Sequence, residues 1–282
     1  MAILTDTFKL ANGVKIPKVG FGMWQVPLGD TAYQAAATAL KTGYRHIDTA
    51  KAYRNEADVG RAIRDSGIPR EEIFVTSKLP GATKTYAGAM ADFNSTMEQL
   101  NIDYLDLYLV HAPWPWTEIG KNCDQENIEI WRAMEAIYAT GKVKAIGVSN
   151  FNVHDLENIL PTAKVKPMVD QIQYYVGFTE PKITEFAKKN GLLVEAYSPL
   201  ATGGMLQNTQ MKALAAKYNV SVAQLALRFC LQNDILPLPK AVGTDHIQNN
   251  AQLDFVISAS DMATLNALSD TAPSHTHNST QG

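Results

Sequence analysis

Cysteine is scarce in this chain of 282 residues: Cys123 and Cys230 stand far apart with no CxxC spacing. That excludes a disulfide framework and a cysteine-held metal centre, and it points to a reducing, cytoplasmic setting. Long apolar runs are also missing. No stretch approaches the roughly 18 residues that a membrane helix needs, and MAILTDTFKL lacks the charged start and apolar core of a secretion signal. A soluble, non-exported protein is expected. With no basic run and a formal charge of −3, neither nucleic acid nor a membrane is expected as partner, so a small molecule must be met by local charges. No HExxH motif or Cys/His cluster fixes a metal, no GxGxxG follows the first apolar run, and no Pro/Gly/Ser linker divides the chain.

What is present reads as one repeating unit. Residues 8–16 alternate apolar and polar around Asn12-Gly13, which predicts a small hairpin with a type I′ turn. Apolar runs follow at 19–23, 45–48, 73–78, 105–111, 145–150, 168–173, 192–197 and 235–240. Helical patterns lie between them at 30–42, 55–66, 83–100, 126–140, 153–160, 180–189, a pair across 209–232, and 244–253. Runs that are apolar on both faces and alternate with helices imply a parallel sheet, because parallel pairs need crossovers. Eight units without a composition break favour a (β/α)8 TIM barrel with the N-terminal β-hairpin closing its bottom, one domain over 1–270, followed by a polar, disordered tail over 271–282. The tail histidines, His275 and His277, are expected in solvent.

The segment 43–56, GYRHIDTAKAYRNE, packs a strand, a carboxylate, a phenol and a helix start together. Asn55, with Asp58 three places on, reads as a helix N-cap, which leaves Asp48 and Tyr53 in the strand-to-helix loop. In a barrel the strand C-termini converge on one mouth. There they gather Asp48, Tyr53, Lys78, His111, Ser149, Asn150, Gln171, Tyr197, Ser198 and Lys240. Singly, each has a bland reading: Asp48 with Lys78 as a structural ion pair, His111 as a satisfied rim residue. Together they suit protonation of an oxyanion. A phenol with an unperturbed pKa of about 10 is a poor acid. An adjacent ammonium lowers that pKa, a carboxylate holds the ammonium, and an imidazole orients a carbonyl. The set contains no nucleophile with its own base, so the group that attacks the carbonyl carbon must come from elsewhere. A nicotinamide hydride meets that need, although the pattern alone does not show one.

Six motifs in register, GFGMWQ at 20–25, GYRHIDTAKAYRNEADVG at 43–60, FVTSKL at 74–79, DLYLVHAP at 106–113, GKVKAIGVSNF at 141–151 and EAYSPL at 195–200, resemble the aldo-keto reductase family along nearly the whole chain. The likeness is to its bacterial-type members, similar to 2,5-diketo-D-gluconate and aldehyde reductases. The resemblance implies an NADP-dependent oxidoreductase that reduces aldehydes and ketones. Asp48, Tyr53, Lys78 and His111 match the family's catalytic tetrad, with Tyr53 as proton donor. Ser149, Asn150 and Gln171 match its carboxamide-binding positions, and Tyr197 matches the ring stacked on the nicotinamide. Gly22 and Met23 at the first strand end and Ser198, Pro199 and Leu200 beside the pyrophosphate complete that side. Lys240, Ala241, Val242, His246 and Asn250 fall in the adenosine-phosphate site. Here the chain departs from the family: Ala241 replaces the usual Ser, His246 the usual Arg, and Asn249 the usual acid. Lys240 and the start of the next helix still suit a 2′-phosphate, but an imidazole is a weaker partner than an Arg fork. NADPH is therefore expected, with NADH usable.

Trp24, His111 and Trp114 are the expected substrate-binding residues, with Trp116 in the same loop; together they would make an aromatic-lined mouth. The alternative is that the loop tryptophans only pack the loop. The expected partner is a small-molecule carbonyl compound and the expected state a monomer. Two other functions fit the same fold: a non-redox barrel enzyme (an enolising isomerase or lyase), and a low-turnover NADPH-binding regulatory member.

Overall fold

Thr7–Lys9 (β1) and Lys15–Pro17 (β2) pair antiparallel, Phe8 opposite Ile16, in a computed structural model that describes residues 2–276. The hairpin is as expected, but its turn is not type I′. Of Asn12-Gly13 only the glycine has positive φ (90°), and its N–H returns to the Leu10 carbonyl. That is a longer loop closed by a left-handed glycine. The Asn12 side chain accounts for the difference: its carbonyl accepts from the Val14 N–H, and its amide donates to the Lys144 carbonyl and the Tyr138 hydroxyl. These bonds hold the hairpin across the N-terminal end of the strands. Leu10 and Ile16 there join Phe74, Leu107, Leu109 and Leu236 in an apolar floor.

Eight strands follow in sequential order: Phe21–Gly22 (β3), His46–Asp48 (β4), Phe74–Leu79 (β5), Leu107–Val110 (β6), Ile146–Ser149 (β7), Val169–Gln173 (β8), Leu193–Tyr197 (β9) and Leu236–Leu238 (β10). Each is parallel to the next. The sheet closes where Gly20 N–H bonds the Pro237 carbonyl (3.1 Å) and Gly22 N–H the Pro239 carbonyl (2.9 Å). A Cβ on Gly20 would fall 2.4 Å from Leu238 Cδ2 and 2.6 Å from His46 Nδ1, so any larger residue there would have to displace both buried side chains.

The helices are Asp30–Thr42 (α1), Glu56–Asp65 (α2), Tyr86–Leu100 (α3), Asp124–Ala139 (α4), Val153–Ile159 (α5), Pro181–Lys189 (α6), Thr209–Lys217 (α7), Val222–Gln232 (α8), Thr244–Asn250 (α9) and Ala259–Ala267 (α10). Their apolar faces and the outward faces of the strands form one large core. The sequence pattern missed α10, whose N-cap Ser258 accepts from the Asp261 N–H.

Two further expectations are corrected. Asn55 occupies the N-cap position of α2 but does not cap it. The side chain is buried, accepting from Thr49 Oγ1 (2.7 Å) and donating to the Met23 carbonyl (2.9 Å), so it ties the first two strand ends together. Asp58 instead accepts from the Gly29 N–H before α1. The stretch read as a disordered tail is packed through Thr276. Thr271 and Ala272 are buried, and His275 bonds Gln173 Nε2 (2.6 Å) and Thr202 Oγ1 (3.0 Å) rather than facing solvent. His277 lies outside the described residues.

Candidate active site

Side chains two apart on a strand share a face, so the inward rows run from apolar floor to polar mouth. His46 and Asp48 lie on β4; Phe74, Thr76 and Lys78 on β5; Val169, Gln171 and Gln173 on β8; Leu193, Glu195 and Tyr197 on β9. Tyr53 reaches the same place from a single 3-10 turn, Lys51–Tyr53, between β4 and α2. Lys78 is fully buried. Its Nζ donates to Asp48 Oδ1 (2.6 Å), to the Thr49 carbonyl (3.0 Å) and to the Tyr53 hydroxyl (3.4 Å). The Tyr53 and His111 rings meet edge-on at 5.5 Å. All four expected catalytic side chains therefore converge.

The electrostatics depart from the expectation in one respect. Burial pushes the Tyr53 phenol up, and the Lys78 ammonium offsets only part of that rise, so the net shift is upward rather than toward acidity. The phenol is thus protonated throughout the neutral range. Lys78 suffers the same burial, but the Asp48 carboxylate and the Tyr53 oxygen hold its pKa above the usual value. The ammonium is a fixed positive charge against the phenol oxygen, able to stabilise a phenolate as it forms. Burial, with Lys78 adding to it, lowers His111 to about 3. The imidazole is neutral, and its Nδ1 has no hydrogen-bond partner among the described residues.

Beside this group, Ser149, Asn150 and Gln171 are buried and mutually bonded. Ser149 Oγ donates to the Gln171 carbonyl (2.8 Å), and Asn150 Nδ2 donates to Ser149 Oγ (3.0 Å) and to the His111 carbonyl (2.9 Å). The half-buried Tyr197 donates its hydroxyl to Asn150 Oδ1 (2.6 Å). Asn150 and Ser198 have positive φ, 61° and 48°, the backbone strain that clusters at functional sites. Gly22 and Met23 lie at the β3 end, where the Met23 N–H bonds the Asp48 carbonyl (2.9 Å).

The comparisons with known proteins agree with this geometry. The model of the "Aldo/keto reductase family" matches residues 18–270. This chain belongs to the aldo/keto reductase family. It is 42% identical over 266 residues to the glyoxal reductase of Bacillus subtilis (strain 168), covering 94% of this chain and 93% of that protein. An aldo-keto reductase from a Medee basin deep-sea metagenome library superposes with a TM-score of 0.89 at 38% identity, covering 97% of this chain and 98% of that one. The silkworm (Bombyx mori) aldo-keto reductase solved with NADPH gives 0.86 at 30% identity, covering 94% and 88%.

In this aldo/keto reductase the remaining expected residues follow the ends of β3, β6, β9 and β10. Trp24 is exposed just after β3. Trp114 is only 4% exposed and packs edge-on against Trp116 at 4.9 Å; Trp116, 38% exposed, lies 5.8 Å from the His111 ring. Trp116 is thus the ring at the rim and Trp114 its support. Pro199 and Ala241 are buried, Leu200 half-buried, and Lys240, Val242 and His246 exposed, while Asn250 faces inward from α9. The Gly22–Pro239 bond sets the Lys240 strand end beside the Met23 one.

The sequence reading missed Glu195, buried in the barrel interior one layer below Tyr197, although a carboxylate inside the apolar run LLVEAY was a visible signal. A cleft of about 670 Å³ at the opposite end, lined by Lys15, Arg45, Glu72 and Lys144 among others, contains none of the converging groups. Among the described residues there is no His/Cys/Asp/Glu cluster able to hold a metal, and no helix is long and apolar enough to cross a membrane.

Proposed function

We propose that this protein reduces aldehydes and ketones to alcohols with NADPH, using NADH less well, and that Tyr53 donates the proton. The observation that carries the reading is the Tyr53 hydroxyl held 3.4 Å from a fully buried ammonium, with a neutral imidazole across the ring edge. When bound, the reduced nicotinamide supplies a hydride to the carbonyl carbon. The residues present fit that group: Ser149, Asn150 and Gln171 offer a compact set of amide and hydroxyl groups for a carboxamide, beside the Tyr197 ring. Tyr53 gives its proton to the substrate oxygen, Lys78 stabilises the phenolate left behind, and Asp48 keeps Lys78 charged and in place. His111, uncharged at neutral pH, orients that oxygen without competing as an acid.

The exposed Lys240 and His246 are the groups proposed to meet the 2′-phosphate of NADPH. Trp24 and Trp116 are proposed to line the substrate mouth with His111, and Trp114 to brace Trp116. The similarity to a glyoxal reductase and to an aldo-keto reductase solved with NADPH supports both halves of this reading. Two buried free cysteines are in keeping with a reducing cytoplasm, and a monomer is the proposed working unit.

The test is NADPH and NADH oxidation followed at 340 nm against glyoxal, aromatic and aliphatic aldehydes, α-keto esters and simple ketones. The expected outcome is turnover of aldehydes with a higher kcat/KM for NADPH. No oxidation across the panel, with no cofactor binding, would favour an enolising barrel enzyme instead.

A further inference from the structure

Glu195 is fully buried, and the argument starts from its partner. Gln171 Nε2 donates to two carboxylates at once, Asp48 Oδ2 at 2.9 Å and Glu195 Oε2 at 2.8 Å. The Asp48 carboxylate only accepts, so the NH2 end of the amide must face it, and Glu195 Oε2 takes the second N–H. That fixes the amide's hand and leaves Gln171 Oε1 free to accept from another group. The register reinforces this arrangement, because Gln171 and Glu195 are direct partners on β8 and β9. The bonds form one continuous line: Glu195, Gln171, Asp48, Lys78, Tyr53.

We propose that Glu195 is a positioning residue for the carbonyl-reducing site: it holds the Gln171 amide with its oxygen toward the cofactor carboxamide, and its ionisation adjusts the charge behind the Asp48–Lys78–Tyr53 group. This rests on the reductase reading above. The groups facing Glu195 are few. Leu236, its register partner on β10, is apolar, and Gln171 on β8 is uncharged. Across the barrel stand Asp48 and Lys78, with His46 beneath Asp48 kept neutral by burial, its pKa lowered to about 3. Burial and then the nearby Asp48 charge raise the Glu195 carboxyl to about 8. Its Oε1 has no partner among the described residues, so a proton there disturbs no bond. Below that pH the line carries one negative charge against Lys78; above it, two. The second charge draws on the same ammonium and makes the Tyr53 proton harder to release, so kcat should fall on the alkaline side well before the phenol itself ionises.

Two variants and three readouts test this. Glu195→Gln keeps an acceptor for Gln171 but cannot ionise. NADPH affinity, measured by quenching of intrinsic fluorescence, should stay within about twofold, while the alkaline limb of kcat moves up by about one pH unit or more. Glu195→Leu removes one of the two acceptors, leaves the amide held by Asp48 alone, and should weaken NADPH binding about tenfold. In the wild-type protein without cofactor, pH-difference infrared spectra should show a protonated-carboxyl band that is lost as the pH passes about 8, and Glu195→Gln should remove that band while leaving the Asp170 one. An unmoved alkaline limb in Glu195→Gln, or unchanged NADPH affinity in Glu195→Leu, overturns the proposal. Should Glu195→Leu not fold, Glu195→Gln and the infrared band decide it. A wild-type protein that binds no NADPH and reduces nothing would refute the reductase reading instead, and the infrared band would still report the Glu195 ionisation.

Discussion

A single oxygen atom, the Tyr53 hydroxyl, bears the chemical step in this reading, and its surroundings set what its removal should do. Burial raises the phenol and Lys78 only partly offsets the rise, so the group serves as a donor that is protonated at every neutral pH, with a fixed cation waiting for the charge it leaves. Tyr53→Phe keeps the ring packed against His111 and deletes only the hydroxyl. We expect kcat to fall by about 10²- to 10⁴-fold, as for loss of a general acid. NADPH affinity by fluorescence titration should hold, and retention of most of kcat would exclude Tyr53 as the acid. The convergence of Asp48, Lys78 and His111 was legible because each sits at or just past a strand end that the two-residue alternation turns inward, with Tyr53 in the turn that follows β4. The fixed orientation of Gln171, the burial of Trp114 against Trp116 and the role of Asn55 were not legible. Each depends on which neighbour a side chain finds across the barrel, as Asn55 does with Thr49 and Met23, and no local pattern encodes that choice.

At the scale of elements, α1 spans the residues that the helical period predicts, 30–42, closed by Gly43 at φ 114°. The buried parallel strands were equally readable, because both of their faces are buried and apolar residues dominate each run. The helix α10 escaped because its apolar positions are few; Ser258 with Asp261 three residues on was the usable start signal. The packing of α2 on α3 depends on one small residue. A Cβ at Gly60 would lie 1.9 Å from the Leu100 carbonyl oxygen and 2.7 Å from its carbon, both backbone atoms that cannot step aside. Gly60→Ala should therefore push the two helices apart at a cost of about 1–3 kcal/mol. That corresponds to a Tm lower by about 2–10 °C in a chain of this size. Since α2 follows the turn that carries Tyr53, kcat should fall as well. A Tm within about 1 °C of wild type would show that the crossing is looser than its distances imply.

For the whole molecule, the buried acids set how stability depends on pH. Asp170 on β8 points outward into the packed core; its carboxyl oxygens have no well-formed hydrogen bond, the Phe151 N–H being the nearby backbone donor. Burial, with Asp155 adding to it, raises its pKa well above the ordinary carboxylate value. An acid whose folded pKa is raised holds its proton after the unfolded chain has released its own. Its contribution is therefore neutral below about pH 4 and increasingly destabilising as pH climbs from there toward the folded pKa. Asp170→Asn should flatten the fall of Tm across that interval, raising Tm by a few degrees at about pH 8 and changing it little at about pH 4. Parallel Tm–pH curves for the two proteins would remove Asp170 from the account.

The two glycine amides that close the barrel have a consequence for how the molecule comes apart. Their acceptors belong to Pro237 and Pro239, which have no N–H to give back, so among the described residues these bonds run in one direction across that seam. Every other neighbouring pair of strands is a hydrogen-bonded ladder. The cylinder therefore has a weak stave joint, and hydrogen exchange is expected to show it opening there first, turning a closed wall into a curled sheet while the rest of the hoop still holds.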